Sequence, residues 1–120
     1  MNTKKTDKAR FKERVWHWGE KLNTRVSSIA VRSMKTKWAS YSTAGRLTFD
    51  TTLLELRDRV QDYVIVHELL HYHVPNHGRL WKSLMHAHLG EYESLEAELK
   101  EQVDGTETEI PKKPYNLIHE

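Results

Sequence analysis

Apolar positions along the chain change their spacing, and each spacing predicts a different element. Over residues 7–22 apolar side chains recur every three or four positions, which is the repeat of an amphipathic helix. Over residues 26–34 they alternate, as in a strand with one buried face. Residues 38–42 and 46–50 read as two further strands, joined through Gly45, which can adopt the positive φ of a short hairpin loop. The pattern predicts an N-terminal helix followed by a three-stranded, mostly antiparallel sheet.

The next predicted helix is apolar almost all round. It covers residues 59–73, and because it has no polar face it should lie buried against the sheet. Asp58, followed three positions later by Gln61, resembles a capping box, and its carboxylate would lie at the positive end of the helix. We therefore expect a buried helix that begins at this polar pair.

Two C-terminal helices complete the predicted fold. Residues 77–89 carry one apolar stripe, which Asn76 can cap at its start and Gly90 can terminate. An acidic helix with its own apolar stripe follows. The expected fold class is α+β, with one domain over residues 1–103 and an irregular C-terminal tail over residues 104–120, where glycine, proline and polar residues concentrate.

Composition limits the chemistry available to this chain. Its 120 residues are 38% hydrophobic and 30% charged, with a formal net charge of +2 and no cysteine. Disulfides, thiolate metal ligands and a cysteine nucleophile are excluded, so a metal ion would need His, Asp or Glu ligands. No apolar run is long enough to span a bilayer, and residues 1–14 lack the apolar core of a signal peptide. We expect a cytoplasmic protein without a membrane partner.

Within the buried helix stands His67-Glu68-Leu69-Leu70-His71, a His-Glu-x-x-His arrangement. Residues four apart are separated by about 40° around a helix and about 6 Å along it, so both imidazoles can reach one metal ion from the same face. This spacing suits zinc, and Glu68 can accept a proton from the water that completes an open coordination sphere. The sequence predicts one Zn²⁺ ion bound by His67 and His71.

A catalytic zinc site normally takes a third protein ligand. His77 is the best candidate, because it follows a break in the helix and can return over the first two histidines. His73 should face away, since it is about 200° around the helix from His71. Glu91 or Glu93 remains open as a downstream carboxylate ligand.

These motifs resemble a known family. Met34-Lys35-Thr36-Lys37-Trp38-Ala39-Ser40, the segment 62–71, Pro75-Asn76-His77-Gly78 and Trp81 together are similar to the YgjP-like metallopeptidase domain, a relative of SprT-like zincins. The resemblance covers about residues 7–90. It implies that His67, His71 and His77 bind zinc, that Glu68 is the general base, and that the strand around Trp38 edges the active-site cleft.

The chain also departs from that family. Ala39-Ser40-Tyr41 stands where the family usually has Gly-Ser-Cys, so contacts at the cleft edge should differ. The β-rich segment that precedes this domain in many relatives is not in the sequence. We therefore expect a minimal zincin-like domain.

The predicted function is a zinc-dependent metallopeptidase, which hydrolyses peptide bonds of a polypeptide substrate through a metal-activated water, with Glu68 as general base. A further donor to the developing oxyanion should come from one of four residues: Tyr72, Tyr41, His73 or Arg79. The sequence indicates no oligomeric state.

Two alternatives depend on basic residues. The stretch 25–46 contains no acid, and its cations include Arg32, Lys35, Lys37 and Arg46. These side chains could hold the triphosphate of a nucleotide, as in a UTP-type pyrophosphatase, or bring a SprT-like protease module to DNA. A solvated strand face is the simpler interpretation of the same charges.

Overall fold

The structure of the chain is a computed structural model that describes residues 3–35, 37–42, 44–74 and 76–104. Its elements in chain order are α1 (Thr3–Lys21), β1 (Ser28–Arg32), β2 (Ala39–Tyr41), β3 (Arg46–Asp50), α2 (Asp58–Leu70), α3 (Arg79–Leu89) and α4 (Glu93–Asp104). A short 3-10 helix, Thr51–Glu55, connects β3 to α2. The predicted α+β class, with an N-terminal helix, three strands and a buried central helix, is confirmed.

The sheet is mixed rather than mostly antiparallel, because the last strand lies in the middle. The strand order is β1-β3-β2. β2 pairs antiparallel with β3, whereas β1 pairs parallel with it, from Ser28 opposite Arg46 to Arg32 opposite Asp50. The chain reverses direction after β1 and again after β2, so β1 and β3 run the same way. Inserting β3 between the other two strands makes the first pair parallel and leaves β2 at an edge.

The helix α2 forms the centre of the protein. Every residue from Tyr63 to Leu70 is buried, and the helix contacts α1, α3, α4 and β2. The largest buried side chains around it include Phe11, Phe49 and Met85. The predicted burial of this apolar helix is confirmed for residues 63–70, whereas the ends of the predicted segment, at Arg59 and at Tyr72 and His73, are exposed.

The start of α2 differs from the predicted capping box. Arg57 is the N-cap and makes no side-chain cap bond, while Asp58 is already the first helical residue. The Gln61 amide instead donates to the carbonyls of Leu53, at 2.8 Å, and Leu56, at 3.1 Å. Asp58 and Gln61 therefore make tertiary contacts instead of capping the helix, and the capping-box prediction is wrong.

The helix α3 also begins later than predicted. Its N-cap is Gly78, and Asn76 Oδ1 accepts a hydrogen bond from the Gly78 N–H at 2.9 Å. Asn76 thus caps the turn before the helix rather than the helix itself. Gly90 ends α3 with φ 73°, and Gly45 has φ 87° in the hairpin, as their positions predicted.

Residues 105–120 of the predicted tail lie outside the described residues. Among the residues that are described, no helix is both long and apolar enough to cross a bilayer.

A partly buried polar junction joins α1 to α2. The Arg14 guanidinium donates to the carbonyl oxygen of Asp58 at 2.7 Å and also to the side chains of Gln61 and Asp62. Trp18 Nε1 donates to the same Asp62 carboxylate at 3.0 Å. This junction orients the N-terminal helix across the start of α2.

We expect Arg14→Ala to lower the free energy of unfolding by about 1–3 kcal/mol, because partly buried acceptors on α2 lose their donor. Glu13→Ala, an exposed change on the same helix, is the control and should shift stability by less than about 0.5 kcal/mol. Urea unfolding followed by circular dichroism measures both. Equal midpoints for the two variants would show that the junction contributes nothing.

Candidate metal centre

The second half of α2 and the loop after it bring three imidazoles together. His67 and His71 lie one helical turn apart, and His77 reaches them from the α2–α3 loop. One nitrogen from each ring lies within 4.8 Å of the others. The arrangement could hold a metal ion, and two of its three histidines, His71 at the C-cap and His77 in the loop, lie beyond the last residue of α2.

The orientation of His71 is determined by a carbonyl just beyond the helix. Its Nδ1 lies 3.0 Å from the carbonyl oxygen of Val74. Because a carbonyl can only accept, Nδ1 of the neutral ring carries the proton and Nε2 presents a lone pair. That Nε2 lies 2.9 Å from Nε2 of His77, on the side where the nitrogens converge.

The ending of α2 explains how Val74 reaches this place. The amides of His71, Tyr72 and His73 bond to carbonyls three residues back, at 3.2, 3.1 and 2.9 Å. The last turn is therefore tighter than an α-helix, and the helix ends at Leu70 rather than at residue 73 as predicted. The tightened turn brings the Val74 carbonyl to the His71 ring.

Trp81, in the first turns of α3, packs against all three rings. Its ring centroid lies 4.5 Å from that of His77, 4.9 Å from that of His67 and 6.3 Å from that of His71. The indole is buried, whereas His77 is exposed. Trp81 thus supports the imidazole that has least protein around it.

Glu68 is almost completely buried beside these rings. It is 1% exposed, and its Oε1 has no hydrogen-bond partner among the described residues. Burial raises the pKa of Glu68 to about 8, and the nearby positive charge of Lys37 opposes this effect. Leaving a carboxylate oxygen unpaired in the interior costs free energy, which a cation at the histidines would offset.

The donor set fits zinc. Zn²⁺ accepts imidazole nitrogens at about 2.0–2.1 Å, which in tetrahedral geometry places them roughly 3.3 Å apart. The three nitrogens lie within 4.8 Å of one another, with the His71 and His77 Nε2 atoms 2.9 Å apart, and no cysteine or second carboxylate is needed to complete three protein ligands. The residues present therefore fit a single ion with an open fourth position.

A pocket opens next to His67 and His77. Its walls are formed by Tyr63, Trp81, Lys82, Tyr92 and Glu96. The Tyr63 hydroxyl donates to Glu96 Oε2 at 3.2 Å, and the Tyr63 and Tyr92 rings stack with centroids 6.2 Å apart. The site therefore combines a histidine cluster with an aromatic recess that carries one cation and one carboxylate.

The remaining candidate ligands lie elsewhere. His73 Nε2 contacts the Leu22 carbonyl at 3.0 Å and Thr24 Oγ1 at 3.2 Å, so it faces away from the cluster, as expected. Glu93 pairs with His86 at 3.0 Å, on an exposed surface. The carboxylate alternatives for the third ligand, Glu91 and Glu93, are not in the group of three that the structure brings together.

Two of the four candidate oxyanion donors are already engaged. The Tyr41 hydroxyl donates to the Arg25 carbonyl at 2.8 Å, and its ring packs edge-on against Tyr72. His73 is turned toward Leu22. Tyr72 and Arg79 are exposed and remain candidates.

The basic residues of the stretch 25–46 do not all lie at one end of the sheet. Lys37 is close enough to Glu68 to affect its pKa, and it lies near the end of the sheet where Asp50 bonds to the Trp38 carbonyl. Arg46 begins β3, about 13 Å away along the strand from Asp50. Arg32 lies opposite Asp50 and so shares the end of the sheet with Lys37, whereas Arg46 alone is at the other end; the set of cations predicted to hold a triphosphate is therefore divided.

Sequence reasoning did not assign a role at the site to Trp81, Tyr63 or the Val74 carbonyl. Trp81 follows His77 by four positions, so helical spacing could have paired their side chains. The Val74 contact had no such signal, because it depends on the tightened turn. Lys37 was interpreted only as a phosphate contact, whereas in the structure its charge acts on Glu68.

Fold and site together define a small α+β domain with a candidate metal centre on its central helix, which is how zinc peptidases carry the His-Glu-x-x-His arrangement. The model of the YgjP-like, metallopeptidase domain family matches residues 2–102. The chain belongs to this family.

Solved structures agree with the fold. The metallopeptidase zymogen of Methanocaldococcus jannaschii jannalysin is 28% identical, with TM-score 0.67, over 80% of this chain and 97% of that one. The metallopeptidase zymogen of Pyrococcus abyssi abylysin is 21% identical, with TM-score 0.65, over 78% of this chain and 95% of that one. None of the curated proteins compared with the chain matches it.

We expect the metal-free protein to bind one Zn²⁺ per chain and to gain thermal stability, because the ion binds the folded site. His67→Ala and His71→Ala should abolish stoichiometric binding. His73→Ala should retain it, since that ring faces Leu22. Calorimetric titration and metal analysis after gel filtration measure the stoichiometry, and unchanged binding in His67→Ala would exclude the cluster as the metal site.

Proposed function

We propose that this chain is a zinc-dependent metallopeptidase in which His67, His71 and His77 hold one ion and Glu68 is the general base. The observation that carries the proposal is the convergence of three imidazole nitrogens within 4.8 Å, next to a buried carboxylate on the same helix. Membership of the metallopeptidase family supports it.

Zinc bound at these histidines would polarise the scissile carbonyl and lower the pKa of water, which makes water a nucleophile at neutral pH. Glu68 accepts the proton of the attacking water and returns it to the departing amine. The buried position of its carboxylate suits this exchange, because a raised pKa lets it hold a proton and release it near neutrality. Lys37 keeps the ionised form accessible by its positive charge.

A polypeptide can be held along β2. This strand lies at an edge of the sheet, and it contacts α2, which carries the histidines. An extended peptide can add to such an edge through main-chain hydrogen bonds, which bind any sequence. The pocket beside His67 and His77 takes a substrate side chain, and the rings of Tyr63, Trp81 and Tyr92 favour an apolar one.

The nucleotide and DNA alternatives receive less support from the geometry. Triphosphate binding needs several cations at one place; Arg32 and Lys37 share one end of the sheet, but Arg46 lies at the other, so the predicted set does not form one cluster. The activity test therefore includes a nucleotide substrate and DNA, so that these two activities can be distinguished from peptide hydrolysis.

We expect Glu68→Gln to retain zinc and the fold but to lose at least about 100-fold in peptide hydrolysis, because the amide cannot accept the proton. Glu55→Gln, which changes an exposed carboxylate before the start of α2, is the matched control and should keep full activity. Zinc-loaded proteins are incubated with an unfolded protein and a nucleoside triphosphate, and the products are identified by mass spectrometry.

Peptide fragments made by wild type and Glu55→Gln but not by Glu68→Gln would support the proposal. Release of nucleoside monophosphate and pyrophosphate by wild type without peptide fragments would contradict it and favour the nucleotide alternative. Salt-sensitive acceleration by single-stranded DNA would indicate the DNA-associated module. Full peptidase activity of Glu68→Gln would remove Glu68 from the mechanism.

A further inference from the structure

His77 differs from the other two histidines in how it is held. His67 and His71 belong to α2 or its last turn, so the helix positions them. His77 lies on the loop between α2 and α3, and its side chain is exposed. An exposed imidazole on a loop has several rotamers and backbone states available, and ordering it on binding costs free energy. Some local device must limit this cost if His77 is to be an effective ligand.

The residues on either side of His77 are linked to each other. Asn76 Oδ1 accepts a hydrogen bond from the Gly78 N–H at 2.9 Å, so a closed turn spans the histidine. Such Asx turns restrict the backbone of the residue they enclose. The hydrogen bond therefore limits the directions in which His77 can present its ring.

Gly78 is adapted to this turn for a steric reason. A Cβ at this position would lie 2.8 Å from Asn76 Oδ1, and its next nearest atom is Asn76 Cγ at 3.9 Å. The backbone of Gly78 has φ −80°, which any residue can adopt. A side chain at this position would therefore displace the Asn76 side chain and break its hydrogen bond to the residue 78 amide.

The turn also determines where α3 begins. Gly78 is the N-cap of α3, and Trp81 follows within the first turn. Its ring centroid lies 4.5 Å from that of His77. The hydrogen bond therefore joins the loop residue before His77 to the N-cap of the helix whose indole packs against His77.

We propose that Asn76 is a positioning residue for His77, and that it preorganises the metal centre through its hydrogen bond to Gly78. This inference rests on the proposed function, since it requires His77 to be a metal ligand. Groups that orient metal ligands typically contribute 10- to 100-fold, as a rough range, to metal affinity.

The test is a double-mutant cycle read by Zn²⁺ affinity. Asn76→Ala removes the acceptor, and Gly78→Ala places a methyl group against it; each should weaken Zn²⁺ binding by about 10-fold or more. In the double variant the methyl group meets no Asn76 oxygen, so the loss should be no larger than for Asn76→Ala alone. Affinity is measured by competition with a chromophoric chelator, using the full chain.

Two further readouts separate positioning from a general loss of structure. Thermal unfolding of the metal-free variants should stay close to that of wild type, because Asn76 and Gly78 are exposed. The visible absorption of Co²⁺-loaded wild type should show intense four-coordinate bands, and Asn76→Ala should weaken them. Asn76→Asp, which keeps an acceptor oxygen, should restore both the affinity and the spectrum.

Affinities of Asn76→Ala and Gly78→Ala within about twofold of wild type would overturn the inference, as would additive losses in the double variant. His77→Ala distinguishes this failure from that of the proposed function. If His77→Ala weakens binding but Asn76→Ala does not, only the positioning role is wrong. If His77→Ala leaves the affinity unchanged, the proposed ligand set fails and the inference fails with it.

Discussion

The burial of a carboxylate and an imidazole inside an apolar helix is the constraint on which the rest of this structure depends. Glu68 is 1% exposed and His67 5% exposed, and the other residues from Tyr63 to Leu70 are hydrophobic and buried. A carboxylate in such surroundings is costly unless a cation or donor compensates it, and its pKa rises accordingly. The helix is surrounded by α1, α3, α4 and β2, so the unfavourable free energy of burying Glu68 arises in the core of the protein. A metal ion at the adjacent histidines is the compensation that the donor set suits.

The candidate site is assembled at three levels of order. The helix repeat sets the relation of His67 to His71, and the tight last turn brings the Val74 carbonyl to the His71 ring. The loop beyond brings His77 to within 2.9 Å of His71, measured between Nε2 atoms. Packing of α3 then places Trp81 against all three rings. The helix, the loop and the packing of α3 each restrict the conformations of the histidine side chains. In this way a domain with a small core can hold a preorganised site.

The mixed sheet separates basic residues that are close together in the sequence. Because β3 lies between β1 and β2, the strand β2, which contacts α2, is an edge strand. Lys37 lies near Glu68, while Arg46 lies at the other end of the sheet. A stretch that reads as one basic surface along the chain is therefore two separate regions in space.

Periodicity determined the helices, the strands and the placement of His67 and His71 on one helical face, because these features depend on spacing within a single element. The positive φ of Gly45 and Gly90 could also be predicted, since few other residues adopt that backbone conformation. The sequence could not determine the partner of β1, because two chain reversals are compatible with either central strand. The sequence patterns predicted helix caps at Asp58 and Asn76, and both predictions were wrong. Arg14 from α1 bonds to Asp58, and the Gly78 amide bonds to Asn76, which capping patterns do not take into account. The approach of His77 to the other histidines, and of Trp81 to all three, was decided by the packing of α3 on α2, because only tertiary contacts fix the path of a loop between two helices.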